Sequence, residues 1–441
     1  METIAILGAG MAGFGAAHRL YEQGLKPVIY EKSPYHGGHT ASRAYPEGFT
    51  FDQGPHVSFT KDKRIQDLFA ASVRGQFETV QYYPHNYWRG YWIKHPAHCN
   101  LHGLPRELVV EIIRDFVKVT DSSHSPQIRN YEDWLLASYG ETFARTFPME
   151  YTRKYHTTDA RNMTTDWLGP RMYQPKLEEV LFGALSPATP NVHYVTDFRY
   201  PSSHGFVSYL DGFLGEPELR LNHEVVAIDP KSRELTFANG RAARFDGLVS
   251  SVPLPEIIPL IRGVPADVLQ AAGRLACSSC VIVNLGVARE DLSPAHIAYF
   301  YDQDIFFTRV SFPHMMSRNN VPAGAGSIQV EVYYSKKYKP LDRSPADCVQ
   351  PVIADLRKVG VLRDDDRILL SDAVVLPYAQ VIFDLERADA LAIVHGYLDE
   401  VGIAYCGRYG DWEYIWTDEA FKSGEEAAQM SLDRVTKRGR T

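Results

Sequence analysis

The sequence predicts an α/β fold, with a discontinuous parallel-sheet domain interrupted by α+β insertions. Three observations carry that expectation. An apolar run, Thr3-Ile4-Ala5-Ile6-Leu7, breaks into a glycine-rich turn and a helical pattern before a second short strand, Pro27 to Tyr30. Near the other end, Ile403-Ala404-Tyr405 breaks into a glycine turn ahead of another helical pattern. Between them the texture changes, helical over residues 105–119 and strand-like over residues 327–334.

The first turn, Gly8-Ala9-Gly10-Met11-Ala12-Gly13, reads G-x-G-x-x-G. Gly8 permits the tight turn, Gly10 lets backbone approach a pyrophosphate, and Gly13 lets helix and strand pack closely. Met11 and Ala12 open a helix whose free N–H groups and positive dipole end suit phosphate. Ala16, Ala17, Leu20 and Tyr21 share one face of that helix, and Gly24 marks its end. Glu31 closes the second strand, placed to accept from a ribose diol and to repel a 2′-phosphate. Strand, glycine turn, helix and acid in that order define a dinucleotide site in a Rossmann-like domain.

Composition excludes several functions. The chain has 441 residues, 46 Lys+Arg against 54 Asp+Glu, and a net charge of −8. That length suits two or three domains, and an acidic balance without a basic stripe argues against nucleic acid. No apolar run is long enough to span a bilayer, and the start lacks a basic, cleavable leader, so the expectation is a cytoplasmic protein without membrane partners. Five cysteines make no disulfide framework. Cys277 and Cys280 form a lone C-x-x-C without a second pair, and His85, His95, His98 and His102 show no helical ligand spacing. No metal is expected.

Beyond Glu31, Lys32 and Ser33 lead into Gly37-Gly38-His39-Thr40 and then Phe51-Asp52-Gln53-Gly54-Pro55-His56. Here the sequence resembles the FAD-binding superfamily of monoamine oxidases, protoporphyrinogen oxidases, phytoene desaturases and UDP-galactopyranose mutases. The run from Gly407-Arg408 to Trp416-Thr417-Asp418 is similar to the C-terminal FAD motif of the same proteins, with Thr417 as expected N-cap. The resemblance implies FAD as cofactor, bound by both chain ends, with a helix N-terminus aimed at the N1–C2=O edge of the isoalloxazine. It also implies that Val225 gives its backbone to the adenine. Residues 1–75, 205–275 and 375–441 would then form the FAD domain, and 76–204 with 276–374 the substrate domain. A cleft between the two is the expected site for a small-molecule substrate.

Within the insertions, residues 82–92 are densely aromatic and read as an antiparallel hairpin. The segment from Phe147 to Gly205 resembles the region where the mutases hold a nucleotide sugar. That implies Arg153, Arg161 and Arg171 as diphosphate candidates and Tyr155, Tyr333, Tyr334 and Tyr378 as sugar-site candidates. His56 is the catalytic candidate, a polar contact to flavin or substrate. Phe59 stands where the mutases carry a histidine. Two activities follow from the resemblance. The first is an amine-oxidase-like oxidoreductase passing hydride from an amine, C–N or C–C bond to flavin N5, for which Lys336 and Lys337 are the lysine candidates. The alternative is a mutase-like isomerase acting on a nucleotide sugar.

Overall fold

The computed structural model describes residues 3–121 and 127–438. The predicted strand β1 (Ile4–Leu7) is buried along its whole length and lies at the centre of a five-stranded parallel sheet. The other strands are β2 (Val28–Tyr30), β3 (Glu218–Arg220), β4 (Gly247–Ser250) and β5 (Ile403–Tyr405), in the order β5-β4-β1-β2-β3. Strands thus come from the beginning, middle and end of the chain, as a discontinuous domain requires.

Both faces of this sheet are covered, which is why β1 is apolar throughout rather than alternating. Ile4 and Ile6 pack with helix α1 (Met11–Glu22) and helix α2 (Thr417–Arg438). Ala5 and Leu7 face the opposite layer, built from the meander Val225–Asp229, Glu234–Phe237 and Ala242–Arg244 and the helix Arg387–Val401. α1 and α2 approach closely, because a side chain on Gly424 would lie 1.9 Å from the Ala12 carbonyl oxygen.

A second, seven-stranded sheet carries the insertions. Its third strand, Gly326–Ser335, is buried at every position and pairs antiparallel with Cys277–Val287 and Arg309–Ser311. At the edge, Pro84–Trp88 and Tyr91–Lys94 form the expected hairpin. Its two-residue turn, Arg89-Gly90, has φ of 47° and 89°, the left-handed pair such a tight hairpin needs. The strand Ile368–Val381 runs straight through the boundary expected at residue 375. No described helix is long and apolar enough to cross a membrane.

Candidate flavin site

A cavity of about 1120 Å³ lies between the two sheets, lined by residues from the first 57 positions and again from 407–420. The turn after β1 forms one wall. The first helical hydrogen bond of α1 runs from Phe14 N–H to the Gly10 carbonyl, and no side chain caps the preceding amides. Those amides are therefore free for an anion. A Cβ on Gly10 would have no neighbour nearer than 3.8 Å, whereas one on Gly13 would meet the Gly8 carbonyl oxygen at 1.9 Å. Gly10 is thus spare room at the cavity wall, while Gly13 holds helix to strand.

Glu31 is buried at the end of β2 and accepts from the backbone N–H groups of Ala9 (2.9 Å) and Ser33 (2.8 Å). Each carboxylate oxygen keeps a second lone pair for a ligand. The Gly37 N–H donates to the Ala9 carbonyl at 2.7 Å, fastening the second glycine pair beneath the first turn. Thr40 Oγ1 donates back to the Gly37 carbonyl at 2.8 Å.

The C-terminal motif closes the other wall. Arg408 donates from Nε to the Ile415 carbonyl at 3.1 Å, and from Nη1 to the Ala379 carbonyl at 3.3 Å and Gln380 Oε1 at 3.1 Å. It thereby pins the segment before α2 to the strand Ile368–Val381. Gly407 N–H donates to Ser423 Oγ at 2.9 Å, and Ser423 donates to Asp411, whose carboxyl burial raises to about 6. Helix α2 begins one residue differently from expectation. The Trp416 N–H is capped by Glu419 at 2.7 Å, so Trp416 holds the N-cap position and Thr417 is the first helical residue.

Most expected flavin contacts meet at this cavity. Gly8, Gly10, Met11, Ala12, Glu31, Lys32, Gly37, Gly38, His39, Thr40, Gly54, Pro55, His56, Val225, Gly407, Arg408, Trp416 and Thr417 all line it. Gly13 sits behind the wall as a packing residue, and Asp418 lies in the first turn of α2 without lining the cavity. His56 is half-buried, with Nδ1 2.8 Å from the Gly54 carbonyl. Burial lowers its pKa to about 4, and burial with the neighbouring His56 lowers that of His39 to about 3. Both rings are neutral at ordinary pH.

The substrate-side expectations divide. Tyr155 lines the cavity, its hydroxyl 3.2 Å from that of Tyr414. Tyr378 also lines it but packs against Tyr409 (5.6 Å between ring centroids) and Trp412, in the core of the flavin domain. Arg171 lies outside the lining residues, over the rings of Tyr414 (4.6 Å) and Trp416 (5.4 Å) that do line it. Arg153 and Arg161 are away from the cavity. Arg153 is tied to Glu150 and Asp159, and Arg161 lies 3.8 Å from Glu132, so both guanidiniums serve surface ion pairs. Lys337 is held by Asp384 (2.9 Å) and Glu386 (2.5 Å), and Lys336 is exposed; neither reaches the cavity. Tyr333 lines the cavity and Tyr334 does not.

The sequence did not point to the ion pair beside Tyr155 in this cavity. Arg309 and Glu331 face each other across adjacent strands and form a two-pronged ion pair, with Nη2 2.7 Å from Glu331 Oε1. Tyr333 donates to the same carboxylate oxygen at 2.7 Å, and the Arg309 guanidinium lies 5.7 Å from the Tyr155 ring. All four line the cavity. Burial holds the Tyr155 and Tyr333 hydroxyls well above the ordinary phenol range, so both remain neutral donors. The one charged residue in the strand Ile328 to Tyr334, on the same face as Gln329 and Tyr333, is the signal that could have found Glu331.

Fold and cradle together resemble those of flavoproteins of the FAD-dependent amine-oxidase-like superfamily. The donor set fits FAD: uncapped amides and spare room at Gly10 for the pyrophosphate, Glu31 for the ribose, and a second helix start at the far wall. The family described as an NAD(P)-binding Rossmann-like domain matches residues 6–72. Over its whole length the chain is similar to a reduced UDP-galactopyranose mutase structure, with 26% identity, a TM-score of 0.92, and coverage of 100% of this chain and 98% of that one. A putative protoporphyrinogen oxidase from Exiguobacterium sp. 255-15 shares the fold at 16% identity and TM-score 0.75, covering 98% and 99%. Among curated proteins, a 4,4'-diapophytoene desaturase of Staphylococcus aureus (strain Newman) is 24% identical over 297 residues. That match takes in 58% of this chain and 56% of the desaturase, so the chain spans little more than half the length of the curated relatives it matches.

Proposed function

We propose that the chain is a flavin-dependent enzyme of the mutase type, acting on a hydroxyl-rich sugar that carries a phosphate group, as a nucleotide sugar does. The observation that carries this reading is the Arg309–Glu331–Tyr333 cluster beside Tyr155 at the substrate end of the cavity. The end-to-end similarity to the mutase structure supports it.

Bound FAD would supply either a nucleophilic N5 when reduced or a hydride acceptor when oxidised. The chain's own groups bind and orient. Arg309 Nη1 has no protein acceptor among the described residues, which leaves it free to meet an anionic oxygen. Glu331 fixes the plane of the guanidinium; the neutral Tyr155 hydroxyl is a donor for a sugar oxygen, while Tyr333, whose proton goes to Glu331, accepts from a sugar hydroxyl. Trp416, with Phe59 against it at 4.9 Å, supplies an apolar wall that excludes water. Lys32 is the one lysine among the described lining residues, 3.6 Å from Glu256, so the substrate end lacks the lysine expected of an amine oxidase.

Phe59 favours a second reading, net hydride transfer in an oxidoreductase, because it replaces the mutase histidine with a group that moves no proton. One experiment separates the two. Holoprotein reduced with dithionite is given UDP-galactopyranose without oxygen, and products are followed by chromatography. Furanose formation without electron consumption, lost in Arg309→Met, supports the mutase reading. No isomerisation, with flavin bleaching by an amine or an unsaturable C–C substrate, overturns it.

A further inference from the structure

Where α1 and α2 cross, away from the flavin cradle, His18, Glu22 and Glu425 bring their ligand atoms within 4.8 Å of one another. His18 is only 8% exposed, and its Nδ1 lies 3.0 Å from both carboxylate oxygens of Glu216. That contact places the proton of the neutral ring on Nδ1 and leaves a lone pair on Nε2. Nε2 is buried, makes no hydrogen bond, and faces Glu22 Oε1 at 3.7 Å. A nitrogen lone pair opposite two carboxylates is repulsive unless a cation lies between them.

We propose that His18, Glu22 and Glu425 bind a divalent transition ion of the zinc class, with Glu216 as the outer carboxylate that orients the imidazole. One nitrogen and two oxygens suit zinc, whereas the nitrogen makes a poor ligand for magnesium or calcium. A carboxylate on the far ring nitrogen is the usual support of a histidine ligand. Arg64 grips Glu425 through both terminal nitrogens, and Arg19 lies 3.7 Å from Glu22 Oε2. Each engaged oxygen keeps a lone pair, and the two guanidiniums offset the charge of three carboxylates. Glu22, half exposed, leaves solvent access for a fourth, water ligand. The site would tie together the two helices whose N-termini reach the cavity. A proton on Nε2 is the competing occupant, favoured by Glu216, which raises the ring's pKa above its ordinary value.

Flavin-loaded protein dialysed against zinc chloride in a metal buffer at neutral pH, with bound metal counted by mass spectrometry, tests this. The expected result is one saturable zinc per chain, with affinity reduced about tenfold or more in His18→Gln and in the exposed-site variant Glu22→Gln, at unchanged flavin content. Equal zinc uptake by wild type and both variants overturns the proposal. So does no saturable uptake, with NMR of the His18 ring showing an imidazolium that zinc does not displace.

Discussion

Two glycines of one motif should fail in different ways when substituted. Gly10 has φ −92° and ψ −173°, a conformation any residue adopts, and its missing Cβ would touch nothing within 3.8 Å. Gly10→Val should therefore leave the apoprotein's stability within about 0.5 kcal/mol of wild type. Its methyls would instead occupy the space beside the uncapped amides of α1. Overlap of that size costs about 1–3 kcal/mol, which is roughly fivefold to 150-fold in FAD affinity. Gly13→Ala is the control. Its Cβ would stand 1.9 Å from the Gly8 carbonyl oxygen, a backbone atom that can move only with the turn. Here the apoprotein itself should lose about 1–3 kcal/mol or more. Thermal unfolding of both apoproteins and flavin-fluorescence titration of both variants read the contrast. Equal stability losses, or full FAD affinity in Gly10→Val, would refute the division of labour.

Other substitutions extend the account. Glu31→Ala removes the acceptor for two backbone N–H groups and the carboxylate proposed to meet the ribose, so it should weaken FAD binding by about 1–3 kcal/mol and also lower apoprotein stability; calorimetric titration beside apo melting separates the two. Arg408→Ala should release the segment before α2, shifting the flavin's visible circular dichroism while global unfolding moves by only a few degrees; an unaltered flavin signal would count against the clamp. His56 titrates near 4 in the fold against about 6.5 when unfolded, so the unfolded chain binds the extra proton between those values. Stability from this residue is present above pH 6.5 and lost as pH falls toward 4. His56→Asn should therefore reduce the acid loss across that window by about 1–3 kcal/mol, read by denaturant titration at several pH values.

The sheet around β1 was legible because local chemistry dictates it. An apolar strand, glycine turn and helix leave little choice, and both ends of the chain carry such a unit. The hairpin at Arg89-Gly90 was legible for the same reason. The ion pair of Arg309 with Glu331 was not, because it arises only when two strands are set in register, and neither residue belongs to a motif. Alternation along Gly326–Ser335 sets Glu331 and Tyr333 on one face, but it does not say which strand brings a partner opposite them. Arg153 and Arg171 looked alike in sequence. Only packing distinguishes a guanidinium between surface carboxylates from one lying over the cavity's aromatic rings. The start of α2 moved by one residue because the Glu419 carboxylate, rather than the Thr417 hydroxyl, accepts from a backbone N–H at the helix start, that of Trp416.

That the two chain termini build a single coenzyme cradle is tested most directly by flavin content. Purified protein, reconstituted with excess FAD and desalted, should retain about one flavin per chain with a visible absorption band, and Gly10→Val should retain far less. A colourless wild-type protein that cannot be loaded, or one that holds flavin equally well with Gly10 replaced by valine, would contradict the account.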